Sequence, residues 1–174
     1  MSKPDDSAVI DPDPSKPLRL GIRIGLSFVV ALAALCGLLG LRANEAHQAD
    51  VLRAQLVQAA KQGAVNLTTI DYKNAESDVQ RILDSSTGQF RDDFQKRSQP
   101  FIDVVKKAES TSVGLVTEAG LESLMGQQGR VLVSVTVKTV SSGKAEEQPR
   151  YWRMRVTVDQ QAEGAKVSNV DFVP

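Results

Sequence analysis

The strongest feature of the hydropathy pattern is an apolar run from Ile24 to Leu41, 18 residues in which Ser27 is the one polar side chain. At about 1.5 Å of rise per residue it spans roughly 27 Å, enough to cross a hydrocarbon core once Gly21, Ile22 and a snorkelling Arg23 extend it. The pattern predicts a transmembrane helix over 20–41. Leu38, Leu39 and Leu41 keep the run apolar to its end, which argues against signal cleavage, and Leu35 is the wrong neighbour for lipidation of Cys36. Residues 1–19 hold four of the seven prolines and four aspartates, with too few apolar side chains to offset the entropy of ordering. They are expected to form a disordered tail. Lys16, Arg19 and Arg23 precede the run and only Arg42 and Arg53 follow closely, so the positive-inside rule puts the tail in the cytoplasm. The expectation is a single-pass cell-membrane protein whose C-terminal domain lies outside the cytoplasm.

Beyond the run a helical period continues without a turn signal. Ala49, Leu52, Leu56, Ala59 or Ala60, Gly63 and Leu67 make one narrow stripe, predicting a stalk helix over 42–66 that enters a domain over 67–174. Asp71 or Asn74 is placed to cap a second helix through Val79, Ile82 and Leu83, ending near Gly88. A third carries Phe90, Phe94, Phe101, Val105 and Ala108 on one face, with a bend or break expected at Pro100.

After Ser110 the period becomes two. Val113 to Leu121 alternates with glycines suited to bulges. Val131, Val133, Val135 and Val137 share a face, and so do Trp152, Met154, Val156 and Val158; a last strand follows over 166–173. The phenylalanine stripe is expected to cover the Val131–Val137 face. The fold class this implies is α+β: after the membrane helix, about three helices packed on a curved four-stranded antiparallel sheet.

Charge narrows the function classes. Lys plus Arg and Asp plus Glu both number 21, and they balance within each region of the chain, so no segment is basic enough to follow a nucleic-acid backbone. One Cys and one His exclude an intramolecular disulfide framework and a zinc site built from several such ligands. Neither a phosphate-binding glycine loop nor a nucleophile elbow is present. His47 reads as a solvated stalk residue, Asp92 and Asp93 diverge on a helix, and Glu146 and Glu147 sit in a polar loop. The valine-rich sheet face offers no titratable side chain, so no catalytic residue, cofactor or metal ligand is assigned and the chain is read as a non-enzyme. Asn66-Leu67-Thr68 matches a glycosylation sequon, a short pattern that carries no weight. What remains is a surface: Tyr151, Arg153 and Arg155, with Arg150 beside them, form a basic and aromatic edge and are the candidate partner surface.

The stretch AAKQGAVNLTTIDYKNAESDVQRILDSSTGQFRDDF (59–94), the apolar run upstream and the ending KVSNVDFV (166–173) resemble the Mce-associated membrane proteins of actinobacteria. The most distinctive pieces are Leu67-Thr68-Thr69-Ile70-Asp71-Tyr72 and Thr87-Gly88-Gln89-Phe90, and Ala165-Lys166 departs from the tryptophan common before the final strand in that family. The resemblance implies a nuclear-transport-factor-2-like, cone-like extracytoplasmic domain. It also implies an accessory or stabilising subunit of an Mce-type lipid or sterol importer, with transporter subunits and, through the anchor, membrane lipids as partners. An assembly scaffold of a secretion or conjugation channel fits the bare architecture equally well, and a membrane-tethered lipid-binding protein is the other alternative. Homo-oligomerisation is left open.

Overall fold

The computed structural model describes residue 42 and residues 47–145 and 148–173. The expected tail and membrane helix, and the loop acids Glu146 and Glu147, lie outside the described residues. Among the described residues, no helix is long and apolar enough to cross a membrane. The chain divides after His47 into two units, and the second, Gln48–Pro174, holds the fold.

That unit is α+β, with three helices on one face of a curved antiparallel sheet. Helix α1 (48–68) leads into a two-residue strand, β1 (Ile70–Asp71), then α2 (Ala75–Asp84) and α3 (Gly88–Lys107). The four long strands are β2 (Ser110–Met125), β3 (Gln128–Ser141), β5 (Arg150–Gln161) and β6 (Gly164–Val173). A two-residue strand, β4 (Lys144–Ala145), turns back on β3. The sheet order is β1-β2-β3-β5-β6, so the expected four strands become six through β1 and β4, both too short to show an alternation.

Alternation sets the core. Val131, Val133, Val135 and Val137 on β3, with Met154, Val156 and Val158 on β5, are all at most 2% exposed. The helix that covers them is α1, through Leu56, Ala60 and Ala64, and the Phe stripe of α3 is not the layer expected there. Three small or medium side chains at helical spacing let α1 sit close to the sheet, whereas Phe94 and Phe101 join a second cluster. In that cluster Ile102 and Val105 of α3 pack with Ala75, Val79, Ile82 and Leu83 of α2. Phe90 touches both clusters.

Local signals explain most boundaries, and two were misplaced. Asn74 is the cap residue of α2, but its side chain makes no capping bond; Asp78 in the first turn instead accepts the Asp71 backbone N–H at 2.8 Å. Gly88, with φ of 57°, opens α3 and does not close α2. Pro100 does not end α3, because Ile102 and Val105 beyond it are buried against α2 and hold the last turns in place. Asn66 and Thr68 are 4% and 2% exposed, which leaves the sequon in the interior.

Candidate functional site

Strand β2 decides the character of the outer sheet face. It pairs with β3 along its whole length, but the register shifts between Val116 and Glu118 and again between Leu121 and Ser123. Each bulge adds a residue to one strand and turns the alternation over. Because of the first, Val113 and Leu115 face outward, 56% and 66% exposed, while Ala119 and Leu121 face the core. The bulged residues are Thr117 and Glu122, neither of them one of the glycines expected to permit bulging.

Three cross-strand rows follow from the register. Leu115 lies beside Thr136, which lies beside Tyr151; Glu118 beside Ser134, then Arg153; Gly120 beside Leu132, then Arg155. The candidate residues Tyr151, Arg153 and Arg155 are therefore on one face, as alternation required. They do not form an edge: β5 lies inside the sheet, between β3 and β6.

Their chemistry differs. Tyr151 is 80% exposed. Arg155 is committed, donating from Nε and Nη2 to the two carboxylate oxygens of Glu122 at 2.8 and 2.9 Å. Arg130 approaches the same carboxylate at 4.0 Å. The hydrogen bonds from Arg155 hold the Glu122 carboxyl below the usual glutamate range; partial desolvation opposes this, and the charges of Arg155 and Arg130 add to it. Arg153 is exposed and makes no ion pair or hydrogen bond among the described residues, and the same holds for Glu118. Between them runs a shallow groove floored by Gly120, Leu132 and Ser134. No local pattern points to Leu115, Glu118 and Glu122, because they lie about 35 residues upstream of their neighbours on β5 and reach them only across β3.

Other concavities lie elsewhere on the domain. One of about 350 Å³ opens between the helices and the end of the sheet, with Leu67, Ile70, Phe101, Val137 and Trp152 below a hydroxyl-bearing rim that includes Arg150. Another lies where Gln55, Gln58 and Gln62 of α1 face Gln160 of β5 and Ala165 of β6. Among the described residues no three His, Cys, Asp or Glu side chains come together as metal ligands. His47 is exposed on its helix.

Comparison in sequence gives the family of this chain, and comparison in structure gives the likeness of its fold. Residues 20–174 match the family described as uncharacterized protein Rv1363c/MT1408-like, and the chain belongs to that family. It is 37% identical over 166 residues to the uncharacterized protein Rv1363c of Mycobacterium tuberculosis (strain ATCC 25618 / H37Rv), covering 90% of this chain and 64% of that protein. The chain thus spans just under two thirds of that relative's length. In structure it is similar to an IcmL-like type IV secretion system protein from Legionella pneumophila, with a TM-score of 0.58 and 18% identity over 70% of this chain and 92% of that one. It is also similar to the periplasmic domain of DotI, with a TM-score of 0.57 and 16% identity over 68% and 92% of the respective chains. At such identities the likeness is one of fold.

Proposed function

We propose that this protein is a non-catalytic scaffold of a multiprotein assembly in the cell envelope, held to the membrane by residues 20–41 with its α+β domain outside the cytoplasm. The observation that carries the proposal is the fold: this chain reproduces 92% of a domain described as periplasmic and of one described as a type IV secretion system protein. The assembly-scaffold reading therefore stands ahead of the lipid-importer one. Neither the family description nor these two structures supports a part in Mce-type import.

The outer face supports the same reading. An anchored domain meets its partners at high effective concentration, so a modest surface suffices without turnover. Tyr151 and Arg153 supply an exposed ring and an uncommitted guanidinium, the side chains most enriched at interface hot spots.

The test is photo-crosslinking of the full chain in the membranes of its own cells. A photoreactive residue at Tyr151 is expected to give protein adducts, and one at Asp92, on the exposed side of α3, is not. Replacing Tyr151 and Arg153 by Ala is expected to leave thermal unfolding within a degree or two of the native protein and to abolish the adducts formed from a probe at Thr136. Equal labelling from Tyr151 and Asp92 would remove the outer face from the proposal. Native mass spectrometry of the purified chain covers the carrier alternative: stoichiometric lipid, retained after delipidation and rebinding, would replace the scaffold with a lipid-binding protein.

A further inference from the structure

We propose that one occupant of the outer sheet face is a second copy of this chain, packed face to face about a twofold axis that runs parallel to β3. The inference names a partner for the surface described above and rests on that face being an interface.

The argument is the symmetry of the three rows. A twofold axis lying in the interface along β3 exchanges the positions of β2 and β5, because these strands flank β3 on either side. Each row then meets its own reverse. Leu115 of one copy comes opposite Tyr151 of the other, and Tyr151 opposite Leu115, which brings together two of the most exposed apolar side chains of the domain, 66% and 80% accessible. Glu118 comes opposite Arg153, and Arg153 opposite Glu118, so two unpartnered charges of opposite sign satisfy each other twice.

The third row fits for a different reason. Arg155 already holds Glu122, and its position in the second copy falls over Gly120, where nothing lies within 4 Å of the space a β-carbon would take. Gly120 thus adds no side chain to the strip that the Arg155–Glu122 pair of each copy crosses, from β5 over β3 to β2. On the axis itself Leu132, Ser134 and Thr136 meet their own counterparts, an apolar contact and two small hydroxyls. Arg130 and Lys138 lie beyond the two ends of this strip and meet their own counterparts across the axis, like-charge contacts at the solvent-screened rim, where Glu122 stands 4.0 Å from Arg130.

The charges also decide against an arrangement with the axis across the strands. That operation sets each strand against its own counterpart, and with the axis at the Glu118–Ser134–Arg153 row it brings Glu118 towards Glu118 and Arg153 towards Arg153. At about 3.3 Å per residue and 4.8 Å between strands, the three rows cover roughly 10 Å by 15 Å of backbone. This is a small interface, and the association is weak in dilute solution. Confinement to a membrane raises the local concentration of copies and favours occupancy.

Cysteine placement on the full chain in detergent or lipid nanodiscs, with Cys36→Ser as background, reads the axis directly. Ser134→Cys and Thr136→Cys, on the axis, are each expected to form disulfide-linked dimers alone. Leu115→Cys and Tyr151→Cys, off the axis on opposite sides, are each expected to link poorly alone and to link efficiently when the two proteins are mixed. Charge reversal supplies the independent reading. Glu118→Arg and Arg153→Glu are each expected to lower Thr136→Cys dimer yield by roughly tenfold, and mixing the two proteins to restore it, since both cross pairs are then attractive. Far-ultraviolet circular dichroism and unfolding temperature check that every variant is folded. Efficient linking by Leu115→Cys alone, or charge reversals that do not rescue each other, would overturn the twofold packing. Failure of both tests while Tyr151 still captures other envelope proteins would overturn self-association and leave the scaffold function in place; loss of that capture as well would remove the interface altogether.

Discussion

The hydroxyl oxygen of Thr68 stands 1.8 Å from the point that a β-carbon on Gly114 would occupy, with the Thr68 β-carbon itself at 2.6 Å. This is where the last turn of α1 presses on β2. Thr68 is 2% exposed and donates to the Ala64 carbonyl at 2.7 Å, and the Gly114 N–H donates to Thr69 Oγ1 at 3.1 Å, so neither partner has room to retreat.

Gly114→Ala is therefore expected to destabilise the domain by about 1–3 kcal/mol or more through overpacking. Gly120→Ala, where the same atom meets open space, is expected to change stability by less than about 1 kcal/mol. Chemical unfolding of the two variants side by side measures the contrast, and equal losses would mean that strand geometry, not the contact with Thr68, sets the requirement.

Leu56 is fully buried where α1 meets the valine face, whereas Phe94 is half-buried in the cluster between α2 and α3. Leu56→Ala is expected to cost about 2–5 kcal/mol, enough to unfold a marginal domain, and Phe94→Ala to cost less despite removing more atoms. The reverse order in denaturant midpoints would restore α3 as the helix that covers the sheet.

Asp78, 7% exposed, accepts the Asp71 N–H at 2.8 Å and pairs with Arg81 at 2.8 Å. Asp78→Ala strands a backbone donor at the junction of β1 and α2 and is expected to cost about 1–3 kcal/mol; Asp78→Asn keeps an acceptor in place and is expected to cost less. Amide exchange at Asp71 reports the bond itself: it should accelerate in the alanine variant.

Glu122 carries the pH dependence of the outer face. Its carboxyl is held below the ordinary glutamate value in the folded state, chiefly by the hydrogen bonds from Arg155. A lowered folded value means that the stabilisation is present above the unfolded pKa and disappears as pH falls through the folded one. Glu76, bonded by Lys106 between α2 and α3, follows the same sign. The unfolding temperature of Glu122→Gln is thus expected to lie slightly below that of the native protein at neutral pH, with the gap closing as pH falls from about 7 towards about 3. Raising the salt concentration at neutral pH should narrow the gap as well, since the pair is solvent-accessible. A gap independent of both would assign the effect to packing.

Periodicity by itself determined much of this domain. The alternation over Val131–Val137 and Met154–Val158 named the buried sheet face residue by residue, because a strand's two faces are distinguishable wherever one of them leaves water. The stripe through Leu56 and Ala60 likewise marked a packed helix, and the absence of phosphate and nucleophile motifs was legible without coordinates. Period does not say which helix covers which face, so the larger phenylalanines drew the covering role to α3 when close packing gave it to the smaller side chains of α1. Nor does it register a bulge. One extra residue in β2, Thr117, turned Val113 and Leu115 outward, although they alternate in phase with the inward Ala119 and Leu121. The candidate surface divided along the same line: Tyr151, Arg153 and Arg155 were readable as one face of one strand. That Arg155 is spent on Glu122, 33 positions earlier, while Arg153 has a matching but distant Glu118, was decided by the order in which β2, β3 and β5 pair. Such pairing is enforced by burial across the whole sheet, and no local stretch of sequence contains it.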